Sequence, residues 1–182
     1  MIDEDLFARI DPVLRTLGSV PDVGEEFREP PLDILRYYRR PVRLSWLPVL
    51  GRASSVVAVV RQPRDVGFSS DGYRRLLNRL ALAASGRYPP WGTGGSVLVL
   101  TVIVLTPEPI APDDDATMRG ILGGPARTRT RAVPLALIRL NLGQEAMAYA
   151  LATGPEGLFP EPEALADALT PHFRRFVPVL PP

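Results

Sequence analysis

The chain has 182 residues, 21 basic and 20 acidic side chains, one histidine and no cysteine, so its formal net charge is +1. The lack of cysteine excludes disulfides, thiol nucleophiles, iron–sulfur clusters and thiolate zinc sites, and a single histidine, His172, excludes metal centres that need two or more imidazoles. Every basic residue is arginine, so lysine Schiff-base chemistry and a P-loop lysine are excluded as well.

A typical domain has roughly 100 to 200 residues, so this length predicts one compact domain. The longest apolar run, residues 97 to 105, is far shorter than the roughly 20 residues of a membrane-spanning helix. The acidic N-terminus is not followed by the apolar segment of a secretory signal. We therefore expect a soluble, cytoplasmic protein.

Charge is distributed unevenly along the chain. Residues 1 to 33 carry nine acids and three arginines, residues 34 to 87 carry eleven arginines and two acids, and residues 88 to 182 carry seven arginines and nine acids. The basic middle either folds against the acidic start or leaves a positive face for a partner.

The first 41 residues predict an N-terminal helical extension with an acidic, proline-rich loop. Apolar residues at helical spacing predict a helix over residues 3 to 17, which Pro12 would kink and Gly18 would end. Residues 18 to 31 are typical of a loop. A short helix is expected from residue 32 to residue 40, because Pro31 suits a first helical turn and Pro41 would end the helix.

Residues 42 to 182 predict an α/β core domain. Branched aliphatic runs predict strands over residues 42 to 49, 55 to 61, 96 to 106 and 133 to 140. Helices are expected over residues 70 to 85, 113 to 122, 143 to 152 and 162 to 169. Because two strands are continuously apolar, both of their faces should be covered. The pattern indicates a single-domain α/β sandwich, with helices flanking a mostly parallel or mixed sheet of about four to five strands.

Ligands of open α/β sheets usually bind at the carboxyl ends of the strands. Arg61, Glu108, Asn141 and Glu145 follow predicted strands and would converge there in a parallel sheet. Glu108, Asp113 and Glu145 then form a candidate Mg or Mn site, with Arg61 as a phosphate clamp. The alternative for the Asp113 to Asp115 run is that Asp113 caps the following helix and the other two complement its dipole.

Three arginines alternate in the segment 127 to 131, so Arg127, Arg129 and Arg131 share one side if that segment is extended. Such a row of guanidinium groups suits phosphate, nucleic acid or an acidic protein surface. With Arg61 they form the predicted anion-binding or partner-binding site. The structural alternative is a charged edge strand that prevents aggregation.

Other features are less specific. The glycine run at residues 92 to 95 lacks the lysine and spacing of a phosphate-binding loop and indicates a turn. Tyr37, Tyr38 and their neighbouring arginines resemble a base-stacking surface, although aromatic residues more often enter the core. His172 has no serine nucleophile in a GxSxG motif to activate, and a structural or exposed histidine is favoured.

Three functional hypotheses follow. We favour a non-enzymatic interaction module, without a cofactor, that binds a protein or polyanion through its arginines; nucleic acid is a less specific option, and no membrane span is expected. The second hypothesis is a Mg- or Mn-dependent phosphoester hydrolase or nucleotide-binding enzyme. The third is a structural subunit of a homo-oligomer that buries apolar side chains between copies. These side chains are Leu44, Trp46, Leu47, Phe173 and Phe176.

Overall fold

The computed structural model describes residues 2–22, 32–43, 52–88, 97–123, 132–152 and 159–175. Its helices are α1 (Ile2–Thr16), α2 (Ser70–Arg87), α3 (Asp114–Leu122) and α4 (Glu161–Leu169). Its strands are β1 (Val20–Asp22), β2 (Asp33–Arg43), β3 (Arg52–Arg61), β4 (Val97–Leu105), β5 (Ala132–Asn141), β6 (Ala146–Leu151) and β7 (Arg174–Arg175).

The seven strands form one mixed sheet in which spatial order follows chain order. β1, β2 and β3 are antiparallel neighbours, β3, β4 and β5 are parallel, β6 is antiparallel to β5, and β7 is parallel to β6. The parallel strands are joined through α2 and α3, as parallel pairing requires a crossover connection. The carboxyl ends of β3, β4 and β5 therefore meet at one edge of the sheet.

Helices cover both faces of the sheet. α2 and α3 pack on one face, where Tyr73, Leu76 and Met118 join the larger apolar cluster. α1 and α4 pack on the other face, where Ile10, Leu14 and Leu165 join the second cluster. This arrangement explains the almost entirely apolar sequence of β4, in which Thr101 is the one polar residue and every residue after Val97 is buried.

The α/β class is confirmed, whereas the predicted strand count and the mostly parallel sheet are partly wrong. Two segments predicted as helices are strands. The segment predicted as a helix from residue 32 to residue 40 is most of β2, in which Tyr37 and Tyr38 enter opposite apolar clusters. Alternation between two covered faces suits a strand, and β3 supplies the hydrogen-bonding partner. β2 also crosses residue 42, where the core domain was expected to begin.

The segment predicted as a helix from residue 143 to residue 152 contains β6. Ala146, Ala148 and Ala150 lie on the face that α3 covers, where small side chains let the helix approach. Met147 belongs to the opposite cluster. Alanine favours helices intrinsically, so here the packing of α3 on the sheet overrides local propensity.

Within the described ranges, no helix combines the length and the apolar character needed to cross a bilayer.

Candidate functional site

The structure describes one of the four arginines of the predicted partner-binding site. Arg61 lies at the end of β3 and forms an ion pair of 3.0 Å with Asp33, both side chains being about half exposed. Arg127, Arg129 and Arg131 lie outside the described residues.

Part of the basic middle folds against the acidic start. Asp11 on α1 binds Arg36 on β2 at 2.9 Å, and Asp22 on β1 binds Arg87 at the end of α2 at 3.1 Å. The hydrogen bonds from Arg87 lower the pKa of the Asp22 carboxyl group. With the pair of Arg61 and Asp33, three N-terminal aspartates thus neutralise three arginines of residues 34 to 87.

The outer face of α2 keeps its positive charge. Arg74, Arg75 and Arg79 are exposed there, and Arg74 donates to the carbonyl oxygen of Gly120 at 3.2 Å. Arg75 and Arg79 form no ion pair or hydrogen bond with any residue that the structure describes. Leu82 lies one turn further along the same row and is 59% exposed. We call Arg75, Arg79 and Leu82 the α2 row.

Tyr37 and Tyr38 do not form a base-stacking surface with the neighbouring arginines of β2, and they enter the core as the favoured interpretation predicted. Tyr37 and Tyr38 are both buried, one on each face of the sheet. Burial and a hydrogen bond to Asp11 raise the pKa of Tyr38 well above its usual value. Their rings are therefore part of the core and are not a platform for bases; Trp46 lies outside the described residues.

The carboxyl edge of the parallel strands contains a buried arginine that sequence reasoning missed. Arg139 on β5 has no exposed surface. Its Nη1 donates to Asp114 Oδ2 at the start of α3, and its Nε donates to the Tyr73 hydroxyl at 3.1 Å. The guanidinium carbon lies 3.6 Å from the centroid of the Phe68 ring. An arginine within the apolar sequence of β5 was the available signal, because a buried cation requires partners.

A hydrogen-bond network extends from Arg139 into the adjoining loops. The Tyr73 hydroxyl donates to Gln62 Oε1 at 2.8 Å, and Gln62 Nε2 donates to the Val66 carbonyl at 2.7 Å. Burial raises the pKa of Tyr73 to about 12, although Arg139 opposes that shift. The network joins α2, β5 and the loop after β3.

The loop after β4 is held by Asn141 at the end of β5. Asn141 Nδ2 donates to the carbonyl oxygens of Pro107 and Glu108, at 3.3 and 2.8 Å. The predicted approach of Glu108 and Asn141 is thus present, although the contact involves the backbone of Glu108. Asn141 Oδ1 also accepts from Gln144 N at 2.8 Å, so this amide joins two loops.

Glu108 points toward the buried arginine. Its Oε2 accepts a hydrogen bond from Phe68 N at 2.9 Å and lies 3.6 Å from Arg139 Nη2. The Glu108 side chain is 38% exposed. Arg139 Nη2 is buried and makes no hydrogen bond within the described part of the chain.

The carboxylates proposed as metal ligands do not form a metal-binding group. In the described ranges, no three His, Cys, Asp or Glu side chains lie close enough together to hold an ion. Asp113 and Glu145 are exposed, and Glu145 occupies the turn before β6 with φ 51°. The structure therefore does not assemble Glu108, Asp113 and Glu145 into one site.

The capping alternative for the three aspartates also needs correction. Asp113 makes no capping hydrogen bond, whereas Asp114 Oδ2 accepts from Ala111 N at 3.1 Å and pairs with Arg139. Burial raises the pKa of Asp114, an effect that Ala111 N–H and Arg139 oppose. Asp115 binds Arg175 on β7 at 3.0 Å and accepts from Tyr149 N at 2.8 Å. Two of the aspartates thus hold strands to α3.

Two further predicted residues are placed by the structure. His172 is exposed, which agrees with the favoured interpretation of a structural or exposed histidine. Phe173 is 7% exposed within the second apolar cluster, so it is not available to an oligomer interface. The other members of that predicted interface, Leu44, Trp46, Leu47 and Phe176, lie outside the described residues.

Comparison of the chain with protein-family models, curated proteins and solved structures found no match.

Proposed function

We propose that this chain is a non-enzymatic interaction module whose partner is an acidic protein surface. The observation that carries the proposal is the α2 row, in which two arginines have no described partner and an exposed leucine lies one turn beyond them. Unpaired guanidinium groups suit carboxylates, which they bind in a forked geometry.

The exposed leucine favours a protein partner over nucleic acid. Leu82 would be buried at the centre of a protein interface, where apolar side chains contribute binding free energy. A phosphate backbone offers no comparable apolar surface. Single-stranded nucleic acid is usually bound with aromatic stacking, and Tyr37, Tyr38, Tyr73 and Tyr88 are buried. Acidic protein is therefore the proposed partner class.

The predicted arginine segment extends this proposal. Arg127, Arg129 and Arg131 follow α3 in the sequence, and α3 is contacted by Arg74 of α2 through Gly120. Their inclusion is based on the alternation of the sequence alone. Arg61 is included as a peripheral contact, because Asp33 already neutralises much of its charge.

Charge reversal tests the proposal. The probes are a fluorescently labelled poly-glutamate peptide and a labelled single-stranded oligonucleotide, measured by anisotropy at two salt concentrations. We expect Arg75→Glu/Arg79→Glu to weaken peptide binding by about tenfold or more. Leu82→Ser should weaken binding of a mixed glutamate and leucine peptide more than binding of poly-glutamate, because only the mixed peptide offers apolar side chains. The triple Arg127→Glu/Arg129→Glu/Arg131→Glu variant tests the second segment.

The matched control is Arg9→Glu/Arg15→Glu on α1. Arg9 and Arg15 are exposed helical arginines, and their replacement by glutamate changes the charge by the same amount. They lie on α1, which packs on the opposite face of the sheet. Equal weakening by the α1 and α2 variants would contradict a specific surface. Tighter binding of the oligonucleotide than of the peptide would contradict the proposed partner class.

A further inference from the structure

Arg139 presents one unused hydrogen-bond donor at the carboxyl edge of the sheet. Tyr73, Asp114 and the Phe68 ring fix the guanidinium group on three sides. Nη2 remains, buried and without a hydrogen bond to any described residue. A buried donor without an acceptor is costly, so this atom is placed for an acceptor that the described contacts do not provide.

Glu108 lies where that acceptor is needed but does not form a hydrogen bond with Nη2. Its Oε2 is 3.6 Å from Nη2, beyond hydrogen-bond distance, while the same oxygen accepts from Phe68 N at 2.9 Å. The backbone of Glu108 is fixed by Asn141 and Thr106, but its side chain is 38% exposed. Gly67 lies beside Oε1 and presents no side chain there. The Glu108 carboxylate can therefore move away from Arg139 by rotation of its side chain, without movement of the backbone.

We propose that Arg139 Nη2 and the Phe68 amide form a binding site for a small monocarboxylate, which Glu108 occupies from within the chain when the ligand is absent. An incoming carboxylate accepts from both donors with one oxygen to each, whereas Glu108 presents the single oxygen Oε2 to both. This site is separate from the α2 row and does not depend on the proposed function.

The local charge selects the ligand class. One guanidinium group is already shared between Asp114 and Glu108. A doubly charged phosphate that displaced Glu108 would place one more negative charge beside Asp114 than Glu108 does, whereas a monocarboxylate replaces Glu108 with equal charge at the arginine. A monoanion therefore matches the site better than a doubly charged phosphate.

Acetate is the probe for the test, with phosphate and chloride compared at equal ionic strength. The 182-residue chain and its Glu108→Ala variant are titrated while amide shifts are followed by NMR. Because a tethered carboxylate competes at a high effective concentration, we expect acetate to bind Glu108→Ala about tenfold or more tightly than wild type. The Phe68 amide should shift in a saturable manner. Acetate should also raise the melting temperature of the variant.

Two variants sharpen the test. Glu108→Gln keeps the side-chain shape and should give an acetate affinity between those of wild type and Glu108→Ala. Glu163→Ala removes an exposed acid of α4 and should behave as wild type. The proposal is overturned if acetate binding to Glu108→Ala is not saturable, if the Phe68 amide does not respond, or if phosphate or chloride binds at least as tightly as acetate.

Discussion

The guanidinium group of Arg139 lies against the ring of Phe68, with 3.6 Å between its central carbon and the ring centroid. Phe68 immediately precedes the cap of α2, where Ser69 accepts a hydrogen bond from Gly72 N. The stacking therefore connects the start of α2 with β5, and Asp114 connects the same arginine with α3. One buried cation thus holds together both helices of this sheet face.

We expect Asp114→Asn to lower the free energy of unfolding by about 3 kcal/mol, because it leaves a buried guanidinium group without its principal counter-charge. Urea denaturation measures this change. Arg139→Met combined with Asp114→Leu should cost clearly less than the sum of the single substitutions, since neither charge then remains buried. A loss below about 1 kcal/mol for Asp114→Asn would show that the pair is not structurally important.

Asp115 should control the stability of the sheet edge at β6 and β7. Its carboxylate accepts from Tyr149 N at 2.8 Å and binds Arg175 at 3.0 Å. We expect Asp115→Ala to speed hydrogen exchange at the Tyr149 amide by about tenfold, since that amide loses its acceptor. Asp113→Ala is the matched control, because Asp113 makes no capping hydrogen bond. Equal exchange in the two variants would refute this role.

Glu145 adopts a left-handed backbone conformation with φ 51°. This conformation is unfavourable for most side chains and is tolerated best by glycine and asparagine. We expect Glu145→Gly or Glu145→Asn to raise the free energy of unfolding by roughly 0.5 kcal/mol, as measured by thermal denaturation. If Glu145 were a metal ligand, the same substitution would remove a stabilising effect of Mg or Mn. The two accounts therefore predict different results in the presence of metal.

Alkaline unfolding should depend strongly on tyrosine, because the chain has no lysine to titrate in the same range. Burial raises the pKa of Tyr73 to about 12, whereas a tyrosine in an unfolded chain has a pKa of about 10. The folded state keeps the Tyr73 phenol neutral, and this contribution to stability is complete below the pKa of tyrosine in the unfolded chain. It is lost as the pH rises toward the pKa of Tyr73 in the folded protein. Stability should therefore fall between about pH 10 and pH 12.

Tyr73→Phe tests this pH dependence. The variant should be less stable than wild type at pH 8, since it removes the hydrogen bonds to Gln62 and Arg139. Its further loss between pH 9 and pH 12 should be smaller than that of wild type by roughly 2 kcal/mol. Tyrosine absorbance near 295 nm monitors ionisation directly. Parallel pH profiles for the two proteins would contradict the assignment to Tyr73.

Local sequence patterns predicted the helices and strands whose conformation follows from their own residues. α2 was predicted from the helical spacing of its leucines. β4 was predicted from a run of apolar residues that does not alternate with polar ones. β2 and β6 were missed because their pairing partners determine their conformation. For β2, Pro31 and Pro41 suggested the ends of a helix, although tyrosine itself favours strands. For β6, the helix preference of Ala148 is overridden by the hydrogen bonds and packing that β5 and α3 supply.

The sequence predicted polar contacts at the carboxyl edge of the parallel strands, but not which residues make most of them. The carboxyl edge of the parallel strands was the expected place, and Glu108 and Asn141 do meet there. The role of Asp114 could not be read from its neighbours, because its partner Arg139 lies 25 positions away in a strand. Asp113 and Asp115 have the same side chain and different environments, which only the packing of α3 distinguishes.

The most direct test of the proposed partner surface is an NMR titration of the ¹⁵N-labelled 182-residue chain with the poly-glutamate peptide. We expect the largest saturable shifts at the Arg75 and Arg79 side-chain Nε–H groups and at the amide of Leu82, and we expect added salt to reverse them. Shifts of equal size at Arg9 and Arg15, or no saturable shift on α2, would contradict the proposed surface.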